Sequence, residues 1–129
     1  MVARTRFTVP VAPVTKKNSG QIVTVKGRPM LIPSKRYNEY EKLASPYCPD
    51  FGIDYPVNVK TVFYMKTRRR VDIANLISAA HDLLVHAGTL TDDNSKIIVS
   101  VDGSRVEYDK ENPRTEFEIE RIERSNQNA

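Results

Sequence analysis

The chain has 129 residues, of which 40% are hydrophobic and 28% charged, and its formal net charge at pH 7 is +4. These values predict one globular domain that buries about two thirds of the surface of its unfolded chain, and they exclude a disordered chain. No run approaches the ~20 apolar residues of a membrane helix. Cys48 is the only cysteine, so no internal disulfide can form, and residues 1–6 show no secretory signal. We therefore expect a cytoplasmic protein that does not contact membranes.

The first half of the chain predicts strands and one helix. Apolar and polar residues alternate over residues 4–14, and Pro10 makes this segment an edge strand. The segments 21–25 and 28–32 flank Lys26-Gly27 and predict a β-hairpin. Ser34 is a suitable N-cap for a helix that ends before Pro46, with an apolar face at helical spacing formed by Tyr37, Tyr40, Leu43 and Ala44.

The second half predicts three strands and a longer helix. The strands cover Pro56–Lys66, Lys96–Val101 and Arg114–Ile122, with a turn at Asp102-Gly103. The helix is predicted to begin after Asp72 as N-cap and to stop at Gly88. Its apolar face consists of Ile73, Leu76, Ile77, Ala80, Leu84 and Ala87. The order of elements predicts a single α+β domain with a mixed β-sheet and two main helices over residues 1–124, followed by a disordered tail at 125–129.

Positive charge is concentrated in three short clusters beside predicted turns. Because no basic amphipathic helix accompanies them, they suit a nucleic-acid backbone better than a membrane surface. A solubilising surface is the alternative interpretation. The residues that we expect to contact phosphate are Lys16, Lys17, Asn18, Lys35, Arg68, Arg69 and Arg70.

Acidic residues at both ends of the longer helix could hold a metal ion. Asp72 stands at its start, and Asp92 and Asp93 lie in the turn that follows it. Mg²⁺ prefers oxygen ligands from carboxylates, water and substrate phosphate, and it can activate water at a phosphodiester. Taken alone, however, an Asp at a helix start is usually a cap, and Asp-Asp-Asn is usually a turn.

The order and spacing of several motifs resemble the RusA family of Holliday-junction resolvases. These motifs are Arg69-Arg70-Val71-Asp72-Ile73-Ala74-Asn75-Leu76, Asp82-Leu83-Leu84, Ala87-Gly88 and Asp92-Asp93, preceded by Pro13-Val14-Thr15-Lys16-Lys17-Asn18 and Pro33-Ser34-Lys35-Arg36-Tyr37. The resemblance covers about Pro13 to Ile122. It implies a RusA-like fold and a homodimeric, Mg²⁺-dependent endonuclease that cuts four-way DNA junctions, often encoded by phages. The metal ligands would be Asp72, Asp92 and Asp93.

Two positions depart from the family pattern. Ala74 stands where the family usually has a second Asp, and Ser78 stands where a Lys often follows. Asn75 could supply a carbonyl oxygen in place of the missing acid, and an Asp-x-x-Asn form of this motif resembles a branch of phage homologues. The alternative is a catalytically silent dimer that binds branched DNA. A metal-free RNA-binding module is a third interpretation, and it predicts no preference for junctions.

Helix length separates the two groups of acids. Asp72 and Gly88 are sixteen steps apart, which is ~24 Å on a straight helix. The four-residue link from Gly88 to Asp92 can return at most ~14 Å. An antiparallel pair of helices across a twofold axis would instead place Asp72 of one chain near Asp92 and Asp93 of the other. We therefore predict composite sites at a dimer interface.

The remaining reactive side chains have simpler interpretations. His81 and His86 are five residues apart, one more than the spacing that stacks two ligands on a helix, so we expect surface or interface residues. Cys48 has no base nearby in the sequence, which argues against a nucleophile. Tyr37 could pack in the core or stack on a base, and packing is the simpler interpretation.

Overall fold

A computed structural model describes residues 4–15, 21–32 and 35–123 of the chain. In this part of the chain, seven strands and two α-helices follow one another: β1 (Arg4–Val9), β2 (Gln21–Val25), β3 (Arg28–Ile32), α1 (Lys35–Ala44), β4 (Val57–Met65), α2 (Ile73–His86), β5 (Ile98–Ser100), β6 (Arg105–Tyr108) and β7 (Arg114–Arg121). A short 3-10 helix, Ser45–Tyr47, follows α1.

The main sheet has the strand order β1-β7-β4-β5. β5 pairs with the beginning of β4, and β6 pairs with the end of β4 along the same edge. β7 runs antiparallel to both β1 and β4, whereas β5 and β6 run parallel to β4. A parallel pair needs a crossover connection, and α2 provides it between β4 and β5. The predicted α+β fold, with a mixed sheet and two main helices, is confirmed.

The predicted hairpin forms a separate two-stranded sheet. β2 and β3 pair antiparallel, with Val25 opposite Arg28. The two residues between them have positive φ angles, 52° at Lys26 and 77° at Gly27. This left-handed pair is what a tight two-residue hairpin turn requires, and glycine adopts it without steric cost.

The core lies between one face of the main sheet and the two helices. On β7, Thr115, Phe117 and Ile119 are buried, and the glutamates between them face the other side. On α2, the buried residues are Leu76, Ala79, Ala80, Leu83 and Leu84. The period of two on the strand and the period near 3.6 on the helix place these apolar side chains in one layer.

The sequence and the structure differ in three details of these elements. β6 was not predicted, and it is a four-residue strand with every residue exposed, held by its pairing with β4. Leu43, placed on the apolar face of α1, is 61% exposed, so that assignment is wrong. Ile73 of α2 is 38% exposed, because the buried face of the helix is centred on Leu76 and Leu83.

Two predicted termini fall outside the described residues. These are the Ser34 cap of α1 and the tail at 125–129. The end of α1 is described: the helix stops at Ala44, and Pro46 lies within the 3-10 helix that follows.

Tyr37 and Cys48 are packed into the core. Tyr37 is 2% exposed, and its hydroxyl donates to the Glu41 carboxylate at 3.2 Å, so packing rather than base stacking is its role. Burial raises the pKa of the Cys48 thiol to about 11, which leaves it protonated and unsuited to nucleophilic attack.

None of the helices in the described part of the chain is long and apolar enough to cross a membrane.

The core assignment can be tested with two leucine truncations. Leu83→Ala removes a fully buried side chain, so we expect the free energy of unfolding to fall by about 2–5 kcal/mol. Leu43→Ala makes the same change at an exposed site, and we expect a change within about 0.5 kcal/mol. Urea denaturation followed by circular dichroism measures both, and equal losses would contradict the assignment.

Candidate functional site

Asp72 is the N-cap of α2, as predicted. Its Oδ1 accepts a hydrogen bond from the Ala74 backbone N–H at 2.9 Å, and its backbone carbonyl accepts from the N–H groups of Asn75 and Leu76 at 3.1 Å each. Oδ2 of this exposed carboxylate has no hydrogen-bond partner among the described residues. The residue can therefore cap the helix with one oxygen and bind a cation with the other.

The turn after α2 holds the second group of acids. The Asp93 backbone N–H donates to Oδ1 of Asp92 at 2.7 Å, and the Asn94 amide donates to Oδ2 at 3.1 Å. Both hydrogen bonds lower the pKa of Asp92 below its usual value, and the bond from the Asp93 backbone has the larger effect. The carboxylate is therefore ionised at neutral pH. The Lys96 N–H donates to the Asn94 side chain at 2.9 Å and closes the turn.

The two groups of acids do not form one cluster within a single chain. Burial lowers the pKa of His81, whereas the Asp93 carboxylate acts in the opposite direction, so Asp93 lies within electrostatic range of the middle of α2. His81 is nine residues from Asp72, or ~13.5 Å along the helix axis. Among residues 4–15, 21–32 and 35–123, no three His, Cys, Asp or Glu residues are grouped to hold a metal ion.

Basic residues from three parts of the chain meet in one cleft, which we call the arginine cleft. It has a volume of about 250 Å³, and its polar lining consists of Thr15, Arg36, Thr67, Arg69 and Arg70. These residues come from the segment after β1, the start of α1 and the loop before α2. The cleft lies next to Asp72, because Arg69, Arg70 and Val71 of its lining lead directly into that residue.

The arginines of the cleft differ electrostatically from those of the sheet. On the open face of the sheet, Arg6 pairs with Glu118 at 2.9 Å and Arg105 pairs with Glu107 at 2.7 Å. In the described part of the chain, no carboxylate pairs with the three guanidinium groups of the cleft. The cleft therefore concentrates uncompensated positive charge, which favours an anionic ligand.

The other predicted phosphate-binding residues lie in different places. Lys16, Lys17 and Asn18 are outside the described residues, although Thr15, just before them, lines the cleft. Lys35 is exposed at the first position of α1, but the neighbouring Arg36 is the one that lines the cleft. The guanidinium of Arg68 lies over the ring of Tyr108 at 4.1 Å, a cation–π contact with β6.

The prediction that the histidines lie at the surface is confirmed for His86 but not for His81, and sequence reasoning missed the importance of Arg36. His81 is partly buried, and its Nε2 is buried with no hydrogen-bond partner in the part of the chain that the structure describes. His86 is exposed and lies 3.4 Å from the Glu41 carboxylate. Arg36 stood in a recognised basic pair, yet its direction depends on the rotation of α1, and no feature of the sequence reveals that rotation.

Comparison with known protein families gives a match over most of the chain. The model of the family described as endodeoxyribonuclease RusA matches residues 10–120. The chain belongs to the RusA family. A search of the curated proteins found no match. RusA proteins are endonucleases that resolve Holliday junctions, so this chain is a hydrolase acting on branched DNA, and the resemblance drawn from the sequence motifs is confirmed.

The RusA match covers the arginine cleft, Asp72 and the turn with Asp92 and Asp93. It also covers Ala74, the position where the motif resemblance led us to expect an acid. Ala74 is exposed in the first turn of α2, and its backbone N–H is the group that Asp72 caps. A carboxylate at this position would face solvent, and the alanine leaves the start of the helix intact.

The cap and the charge of Asp72 can be separated by two substitutions. Asp72→Ala removes the capping oxygen, so we expect a loss of about 1 kcal/mol in the free energy of unfolding. Asp72→Asn keeps a capping oxygen and removes the negative charge, so its stability should stay close to wild type. Equal destabilisation by both changes, measured by urea denaturation, would show that the charge rather than the cap stabilises α2.

Proposed function

We propose that the protein is a Mg²⁺-dependent, homodimeric endonuclease that cleaves four-way DNA junctions. The observation that carries this proposal is the position of Asp72 directly beside a cleft with three arginines that pair with no carboxylate among the described residues. This positive charge suits the phosphate backbone, and a neighbouring carboxylate suits a divalent cation. Because the substrate is DNA, we also propose a cytoplasmic location.

The acids have the chemistry that a Mg²⁺ site needs. Asp72, Asp92 and Asp93 are exposed and offer oxygen donors, and the ionised form of Asp92 is favoured by its hydrogen bonds. Asn75 can add a carbonyl oxygen from the first turn of α2. A bound Mg²⁺ ion supplies a polarised water and charge stabilisation at the scissile phosphodiester.

The separation of Asp72 from Asp93 along α2 supports composite sites in a dimer. Asp72 of one subunit would join Asp92 and Asp93 of the other across a twofold axis. The exposed side of α2 suits such an interface, since Ile73, Ala74 and Ser78 are exposed and uncharged. A surface helix ordinarily carries charges on its outer face, and a single acidic residue, Asp82, is the only formally charged residue of α2.

In this proposal, the basic residues bind the DNA and the acidic residues bind the cation. Arg36, Arg69 and Arg70 hold the DNA backbone in the arginine cleft, and Lys16, Lys17, Asn18, Lys35 and Arg68 extend this contact. The acids hold the cation beside the bound phosphate. Contacts of this kind read no base sequence, so selectivity for junctions comes from shape and from the fixed distance between the two sites of the dimer.

Subunit mixing tests the proposal. We expect wild type to nick a labelled four-way junction symmetrically with Mg²⁺, whereas Asp72→Asn and Asp92→Asn each bind the junction without cleaving it. After subunit exchange between the two variants, half of the dimers carry one intact composite site, so about a quarter of the nicking activity should return. Tight binding without any product by wild type would favour the catalytically silent alternative.

The reciprocal mixture is the control. A chain with both Asp72→Asn and Asp92→Asn is exchanged with wild-type chains, and every mixed dimer then lacks one acid in each composite site. Nicking by these mixed dimers, together with failure of the first mixture, would show that each site is built from one chain.

The role of the arginine cleft is tested by salt dependence. We expect Arg69→Ala to weaken junction binding and to lower the slope of log K against log salt by about one per bound subunit. Arg105→Ala removes an arginine that Glu107 already neutralises on the sheet face, so binding should change little. Filter binding at several salt concentrations measures both, and an unchanged Arg69→Ala slope would reject the phosphate contact.

A further inference from the structure

The lining of the arginine cleft is apolar as well as charged. Besides the three arginines and two threonines, it includes Pro13, Val14, Met65, Val71 and Leu76. Pro13 and Leu76 are buried, whereas Val14, Met65 and Val71 are partly exposed beside the hydrophobic core. The cleft therefore joins an apolar surface to a set of cations.

A phosphate group by itself would contact the arginines of the cleft and leave its apolar side chains without a partner. Intact duplex DNA presents phosphates and sugars outward and keeps its bases stacked inside the helix. An apolar protein surface can contact the face of a base only when the nucleotide leaves the base stack. Such contacts do not depend on the identity of the base. The apolar part of the lining thus points to unpaired nucleotides.

The charge and the volume of the cleft agree with this ligand. Arg36, Arg69 and Arg70 have no carboxylate partner among the described residues, so an anion would neutralise charge that the protein leaves uncompensated. The volume of about 250 Å³ is comparable to one nucleotide and too small for a base pair.

We propose that the arginine cleft binds a single unpaired nucleotide of the DNA, with its phosphate on the guanidinium groups and its base against the side chains of Val14, Met65 and Val71. This inference rests on the proposed function, and it assigns the feature of branched DNA that the protein recognises. Base stacking is interrupted at a branch point, so a nucleotide there enters the cleft at a lower cost than one inside a duplex arm. The cleft thereby brings the branch point next to Asp72.

The methyl group of Met65 reports directly on the cleft. The chain has three methionines, so ¹³C-methyl labelling gives few signals, and Met65→Leu identifies the one from the cleft. We expect single-stranded tetradeoxyadenylate, added without Mg²⁺, to shift the Met65 signal upfield through the ring current of a bound base. A self-complementary duplex at the same phosphate concentration should leave this signal unshifted. Equal shifts with both DNAs, or no shift with either, would overturn the proposal.

Filling the cleft tests its contribution to junction recognition. Val71→Phe adds bulk to the apolar lining and keeps the three arginines, and Thr67→Phe does so from an exposed position outside the core. We expect both to abolish the Met65 shift and to lower the preference for a junction over a duplex by about tenfold. Val106→Phe is the matched control on exposed β6, outside the cleft lining, and should preserve both properties.

The results also separate this inference from the proposed function. If wild type cleaves junctions but Met65 does not respond to single-stranded DNA, the nuclease function stands and the nucleotide site is rejected. If Met65 responds but no junction is bound or cleaved, the nucleotide site stands and the proposed function is rejected. Circular dichroism of each variant shows whether it is folded. If Val71→Phe is not folded, the result with Thr67→Phe decides the outcome.

Discussion

The rigid length of α2 governs the functional arrangement of this protein. The helix begins at Asp72, and after it ends, the chain returns through a turn that contains Asp92 and Asp93. Because a helix rises by about 1.5 Å per residue, His81, whose pKa the Asp93 carboxylate raises against the effect of burial, lies ~13.5 Å along the axis from the cap. Our proposal of composite sites, in which each chain supplies half of the acids of each site, follows from this spacing.

The same helix depends on the sheet for its position. α2 connects the parallel strands β4 and β5, and its buried leucines pack on the inner face of the sheet. This crossover places the loop before α2 beside the start of α1 and the segment after β1. The arginine cleft is a consequence of that packing, since its three parts are far apart in the sequence.

The ion pairs are distributed unevenly between the arginines of the sheet face and those of the cleft. Arginines on the open sheet face are matched with glutamates on the same strand or a neighbouring one, and exposed pairs of this kind add little to stability. The arginines of the cleft pair with no carboxylate in residues 4–15, 21–32 and 35–123 and lie beside apolar side chains, and this combination is the basis for proposing that an unpaired nucleotide binds there.

Most elements of the fold could be predicted from local signals. The Asp72 cap, the Lys26-Gly27 turn and the alternation on β7 each follow from interactions between residues close in sequence or from a regular period. β6 could not be predicted with the same means, because four exposed residues form a strand only through pairing with β4. Leu43 was misplaced because helical periodicity gives the spacing of a face and leaves its exact rotation against the core open.

The sequence by itself determined the family, the mixed α+β architecture and the identity of the acidic and basic residues that define the candidate site. Motif order, periodicity and residue chemistry are all properties of the linear chain. Only the tertiary structure decided that Arg36, Arg69 and Arg70 share a cleft, that Arg68 contacts Tyr108, and that Asp93 lies within electrostatic range of His81. These relations depend on how helices rotate and pack on the sheet, and packing joins residues whose separation in sequence carries no signal of their contact.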